Sequence, residues 1–282
     1  MTSLSQGEGR IGGALVDILA HENGGVMSRD DQVAVEEALE IRLAGVEPVI
    51  TMRTPGNDRE LAAGLMLSEG VVRHPRDFQT LCTLVDQPDV IQIQLRRPGG
   101  EKTALLERSS LSTSACGVCG KKKLNLESMQ GLPPLSPGPW MTRERLGDLA
   151  ARMQEHQALF ACTGGLHGAA LFDARGEMLA VREDVGRHNA LDKLLGWALL
   201  NDRLPLDDHA VMLSGRVSFE LMQKCIMARV PLVCAVSAPS SYAVRLAREF
   251  GVTLVGFLRA SRFNVYAQAQ RISDADNPSG SG

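Results

Sequence analysis

Cys116 and Cys119 stand three positions apart in residues 114–123 (SACGVCGKKK), each followed by a glycine. Small neighbours leave both sulfurs unshielded and let the backbone bend sharply. The thiolate is the reactive form of cysteine, and nearby positive charge lowers a thiol pKa. Lys121, Lys122 and Lys123 follow directly, so the loop suits a nucleophilic sulfur near neutral pH. A second thiol this close can resolve a mixed disulfide or share a persulfide. Other readings stay open on these residues alone. Half of a zinc site would need two more ligands, and Cys82, Cys162, Cys225 and Cys234 are single. A thioredoxin-type pair opens a helix in an early βαβ unit, whereas lysines and a Pro-rich stretch follow here. Two incidental loop cysteines are the plain alternative. Cys162, Cys225 and Cys234 have apolar neighbours and are expected as core thiols, with Cys82 structural.

A second group of candidates falls where strands should end. Ligands of open α/β sheets bind beyond the carboxyl ends of the strands. Residues 184–189 (DVGRHN), 214–216 (SGR) and 237–241 (SAPSS) lie at such ends and before helices. Free N–H groups at a helix start hold phosphate, and Arg187 and Arg216 add bidentate contacts, with Ser214 and Ser237 beside them. Helix capping explains any one of these segments; three on one sheet favour a phosphorylated ligand. No Walker A pattern and no helix-opening GxGxxG occurs, so neither ordinary NTP hydrolysis nor dinucleotide binding is indicated. In residues 162–168 (CTGGLHG), Gly164 and Gly165 let a ligand approach the backbone beside His167, an acid/base or hydrogen-bond donor. A tight turn with a satisfied histidine reads equally well. Residues 257–262 (FLRASR) place Arg259 and Arg262 around Ser261 between two strands, which suits an anion or a solvated hairpin turn.

These segments need a scaffold. Residues 130–140 hold four Pro and two Gly and read as a linker. Before it, residues 26–129 read as a small α+β domain that ends in the CxxC loop. There, extended segments flank a turn at Gly45, and a helix follows with Asn57 as N-cap and Glu60 set for a capping box. Leu61, Leu65 and Met66 form its stripe and Gly70 stops it. After the linker, Thr142 caps a helix with Leu146, Leu149, Ala150 and Met153 on one face. Strands and helices then alternate through residues 141–272, with continuous apolar strands. That pattern argues an α/β chain (α+β overall) with a C-terminal three-layer α/β/α domain beside the smaller N-terminal one. Residues 1–25 read as a flexible tail and 273–282 as a disordered one.

Composition excludes several classes. The 282 residues carry 30 Lys plus Arg against 33 Asp plus Glu, a net charge of -3. That balance lacks the footprint of a general nucleic-acid binder. No apolar run approaches a membrane span, and residues 1–10 show no signal pattern, so a cytoplasmic protein with reduced thiols is expected.

Taken together and in order, the segments resemble the formate dehydrogenase accessory sulfurtransferase family (FdhD). The resembling blocks are residues 53–70 (RTPGNDRELAAGLMLSEG), 116–120 (CGVCG), 163–167 (TGGLH), 182–193 (REDVGRHNALDK), 214–221 (SGRVSFEL), 237–241 and 257–262. They span about residues 30–270 and are jointly specific, though the CxxC alone is not. The resemblance implies passage of persulfide sulfur from a cysteine desulfurase to the molybdenum (or tungsten) bis-guanine-dinucleotide pterin of formate dehydrogenase. It implies Cys116 as the persulfide carrier with Cys119 as its partner. It also implies a cofactor-binding segment at Phe257, Leu258, Arg259, Ala260, Ser261 and Arg262. A GDP-like moiety of the cargo, with no permanent cofactor or metal, would then meet Gly164, Gly165, His167, Arg187, Ser214, Arg216 and Ser237. The implied partners are the desulfurase, the formate dehydrogenase catalytic subunit and a second copy in a homodimer. A cytidine-deaminase-like fold is implied for the C-terminal domain. The HxE and PCxxC signature of zinc deaminases is absent, so that fold need not mean deaminase chemistry. A non-enzymatic cofactor chaperone and, more weakly, a thiol–disulfide oxidoreductase are the alternatives.

Overall fold

The computed structural model describes residues 12–97, 129, 131–135 and 141–274. It begins with an antiparallel ribbon of β1 (Gly13–Glu22) and β2 (Gly25–Ala34), in register from Gly13↔Ala34 to Glu22↔Gly25. The expected loose tail is thus a strand from residue 13 on. Ala14, Val16, Ile18 and Ala20 form a period-two stripe that is buried or half-buried, enough to order the strand.

A four-stranded sheet follows, with β3 (Glu37–Leu43), β4 (Val49–Arg53), β5 (Phe78–Leu84) and β6 (Gln87–Leu95) in the order β4-β3-β6-β5. Between β4 and β5 runs α1 (Asp58–Ser68). Its end is a Schellman turn: Gly70 takes φ 75°, its N–H donates to Leu67 O at 2.9 Å, and the Val71 N–H donates to Met66 O at 2.9 Å. Its start departs from expectation. Asn57 sits in the left-handed region at φ 59° with no side-chain cap bond. Glu60 turns away from any capping box because Arg182 grips both its oxygens, with Nη2 at 2.8 Å from Oε1. Two charge-assisted bonds outweigh one bond to a backbone N–H.

The C-terminal half holds a six-stranded sheet in the order β13-β12-β11-β10-β8-β9. Its strands are β8 (His167–Phe172), β9 (Met178–Asp184), β10 (Ala210–Leu213), β11 (Leu232–Ala235), β12 (Thr253–Arg259) and β13 (Arg262–Ala267). One face carries α2 (Arg143–Glu155), capped by Thr142 Oγ1, which accepts from the Arg145 N–H at 3.3 Å. The short α3 (Ala158–Thr163) follows it. The other face carries α4 (Arg187–Leu200), α5 (Phe219–Met227) and α6 (Ser241–Glu249). The three-layer α/β/α arrangement expected here is present, because strands apolar on both faces need cover on both. A short parallel pair, β7 (Met141–Thr142) with β14 (Ile272–Ser273), brings the end of the described chain back to the start of α2.

One apolar cluster takes residues from both sides of the 130–140 stretch, joining Leu39, Ile41, Leu61, Met66 and Ile91 to Leu191, Leu195, Val211 and Met222. Its centre is the crossing of α1 and α4. A Cβ on Gly64 would overlap Asp192 O, and a Cβ on Gly196 would overlap Glu60 O. Glycine at both positions lets the two backbones touch. Polar groups close the same seam. Asp192 accepts from Lys224 Nζ at 2.7 Å and from Ser68 Oγ at 2.8 Å. Gly196→Ala should therefore push α4 off α1 and lower stability by about 1–3 kcal/mol, read from urea unfolding. Wild-type stability in that variant would contradict the close crossing.

Candidate functional site

The strand directions decide where functional side chains meet. β10, β11 and β12 are parallel, and β8 runs against both β10 and β9. The ends of β9, β10, β11 and β12 therefore share one edge with the start of β8. Between this edge and α2 lies a cavity of about 650 Å³. That falls within the range that holds small molecules and cofactors. Gly164, Gly165, Leu166 and His167 line it at the start of β8, with Ser214 after β10, Val236 after β11, and Arg259 with Ala260 at the end of β12. Gly147, Ala150, Met153 and Gln154 form the α2 wall. A Cβ on Gly147 would come within 3.0 Å of Ala260 O, so glycine lets α2 close against the β12–β13 turn.

The polar groups at this edge are held from behind. Ser214 Oγ accepts from the Gly168 N–H at 2.8 Å and lies 3.4 Å from His167 Nδ1. Its own hydrogen can then go to Nδ1, in the tautomer with the proton on Nε2. Burial pushes the His167 pKa below its ordinary value, and the nearby Arg187 guanidinium pushes it further; Asp184 pulls the other way. Gly215 sits between the His167 ring and the Arg187 side chain, and a Cβ there would touch both. His188 Nε2 is 2.9 Å from Glu220 Oε2. Behind them Asp184, fully buried, lies 2.7 Å from Lys193 Nζ and accepts from the backbone N–H groups of Gly186 at 2.8 Å and Thr54 at 3.2 Å. Burial raises the Asp184 carboxyl pKa, while Lys193 and these donors hold it down. Arg259 is anchored through Nη1 to Val236 O at 2.9 Å and Leu258 O at 2.7 Å, at the rim.

Six of the sequence candidates, Gly164, Gly165, His167, Ser214, Arg259 and Ala260, line the cavity. Arg187 stands next to it at the start of α4. Ser237 gives its carbonyl to the Phe257 N–H at 3.2 Å. Phe257, Arg216, Ser261 and Arg262 are exposed, and Leu258 is buried in the second apolar cluster with Leu146 and Leu149. Two of the expected anion-holding helix starts are filled by their own serines: Ser218 Oγ accepts from Leu221 N–H and Ser240 Oγ from Ala243 N–H. Cys225 and Cys234 are core thiols as expected, and burial drives the Cys225 pKa up to about 12 and Cys234 higher still, which keeps both inert. Cys162 is exposed instead, on the six-residue helix α3. Cys116, Cys119 and the three lysines lie outside the described residues.

Sequence reasoning missed two neighbours of the cavity. Gln157 is buried in its wall, over Gly168. Glu183 accepts from the N–H groups of Leu159 at 3.1 Å and Phe160 at 2.8 Å, fixing α3 beside the cavity. Neither has a local signal, since each acts across chain-distant elements. Among the described residues no cluster of His, Cys, Asp or Glu can hold a metal ion, and no helix is long and apolar enough to cross a membrane.

Residues 34–273 match the model of the FdhD/NarQ family. The chain is 47% identical to the sulfur carrier protein FdhD of Streptomyces coelicolor over 265 residues, covering 91% of this chain and 94% of that one. It is 37% identical to the protein of the same name from Saccharolobus solfataricus, covering 91% and 96%. A solved structure from Desulfotalea psychrophila, named as a candidate formate dehydrogenase accessory protein, shares the fold at a TM-score of 0.72 and 24% identity, covering 93% of this chain and 99% of that one.

The depressed His167 pKa fixes a sign. The unfolded chain takes up this proton at a higher pH than the folded one, so stability is full above the ordinary value of 6.5 and is lost as pH falls through the folded value. Unfolding measured at pH 7.5 and at pH 5 should show that loss, and His167→Asn should reduce it. An identical loss in the variant would contradict the assignment.

Proposed function

The chain belongs to the FdhD/NarQ family, and from that premise we propose that it is a sulfur carrier serving formate dehydrogenase. In this reading it is a sulfurtransferase that passes sulfur from a cysteine desulfurase to a molybdenum or tungsten bis-guanine-dinucleotide pterin for the formate dehydrogenase catalytic subunit. The names of its relatives support sulfur carriage. The observation that carries the rest is the cavity: a glycine-floored space at the carboxyl edge of a sheet, with Arg259 at its rim and His167 and Ser214 in its wall. Such a site suits the guanine-nucleotide end of that cargo, with backbone N–H groups and Arg259 toward phosphate.

Sulfur loading follows thiol chemistry. The Cys116 thiolate attacks the terminal sulfur of the desulfurase persulfide, an S–S bond breaks, and the desulfurase leaves as thiolate. Cys116 then holds the sulfane sulfur with no net oxidation. Release of that sulfur as sulfide takes two electrons, which Cys119 supplies by attacking the inner sulfur and closing a disulfide with Cys116. Lys121, Lys122 and Lys123 would keep the thiols ionised and draw the anionic cargo in. His167, largely neutral at pH 7, donates a hydrogen bond from Nε2 without adding charge. Guanine-nucleotide binding, a homodimer and a cytoplasmic site belong to the same proposal.

Intact mass after incubation with a cysteine desulfurase and cysteine tests the reading. Wild type and Cys119→Ala should gain about 32 Da in a form removed by thiol reductant, and Cys116→Ala should not. No gain in wild type, with GDP binding intact, would replace the carrier by a non-enzymatic cofactor chaperone.

A further inference from the structure

The β1–β2 ribbon exposes apolar surface that the fold does not use. Of the nine exposed large hydrophobic side chains among the described residues, five lie on it: Leu15, Leu19, Val26, Met27 and Val33. The register puts Leu15, Asp17 and Leu19 on one face, opposite Gln32, Asp30 and Ser28. Leu19 is 70% exposed and Val26, paired with His21 on the same face, 60%. The ribbon is a sheet of only two strands, and such a hairpin is marginal in water unless something covers it. Asp17 directly faces Asp30, and like charges opposite one another cost stability. Asp31, paired with Val16, is on the other face, as is Arg29, the ribbon's one arginine or lysine, which is engaged with Glu22 at 2.9 Å. The ribbon's root reaches the cavity. A Cβ on Gly165, which lines the cavity, would touch Ala34 Cβ at 3.4 Å.

We propose that this outward face is the docking surface for the protein that takes over the cavity's ligand, the formate dehydrogenase catalytic subunit. The inference rests on the function proposed above. The face calls for a partner patch of apolar side chains with Lys or Arg set against Asp17 and Asp30. A two-fold pairing of this face with a second copy would bring four carboxylates together with no Lys or Arg between them, and an anionic lipid surface would be repelled as well. The recipient of the ligand must sit at the cavity, where the ribbon is rooted.

The test measures binding of the purified catalytic subunit to wild type, to Leu15→Ser with Leu19→Ser, and to Asp17→Lys with Asp30→Lys. All four positions are exposed, so both doubles should keep the wild-type melting temperature. Each should bind at least tenfold more weakly, and added salt should weaken wild type but not the lysine variant. Sulfur loading, GDP binding and sedimentation should match wild type. Wild-type affinity in both doubles would overturn the inference, as would no binding by wild type. A dimer that the serine variant splits, or a loss confined to desulfurase binding, would overturn it too. Failure of wild type to load sulfur and to bind GDP would instead strike the functional reading.

Discussion

Backbone contact between α1 and α4 is the constraint on which the rest of the structure depends. Gly64 and Gly196 remove the side chains that would hold the helices at the usual 8–10 Å spacing. The residues before the 98–128 stretch are thereby fixed onto the six-stranded sheet rather than tethered to it. The seam also carries the buried pairs Asp184–Lys193 and Asp192–Lys224. Each carboxylate has further donors, so neither ion is left bare in the interior. Thr54, from the segment before α1, gives its N–H to Asp184 and takes Lys193 Nζ on its carbonyl at 2.7 Å. A residue of the N-terminal half thus helps to hold the end of β9, where α4 and the candidate site begin.

That rigidity has a chemical use at the opposite edge. A ligand at that edge would meet groups that the sheet itself holds still. His167, Ser214 and Arg259 are each set by a sheet strand or the turn after it, and none depends on a long loop. Burial and the Arg187 guanidinium favour the neutral form of His167, which leaves the positive charge to the arginines. The division suits an anionic ligand, with charge at the rim and a neutral donor in the wall.

Much of this was legible in the sequence because it is local. Thr142 and Gly70 act within one turn of themselves, and both helix ends form as their types predict. The strands of the C-terminal sheet announce themselves as short apolar runs between turns. What was not legible is set across the chain. Glu60 answers Arg182, 122 positions away, so a local capping rule fails there. Leu258 lies within the resembling segment 257–262, yet it is buried while Phe257, at φ 54° in a break of the strand register, and Arg259 are exposed. A contiguous motif on a strand cannot put every residue against one ligand. Cys162 looked like core by its neighbours and is exposed, because a six-residue helix covers too little to bury it.

Hydrogen–deuterium exchange with and without GDP tests the central claim most directly, that the carboxyl-edge cavity holds the nucleotide end of the cargo. The account predicts slower exchange confined to residues 163–168, 214–216, 236–239 and 257–262, with the α1–α4 seam unchanged. Protection at other segments alone, or none at saturating GDP, would contradict it.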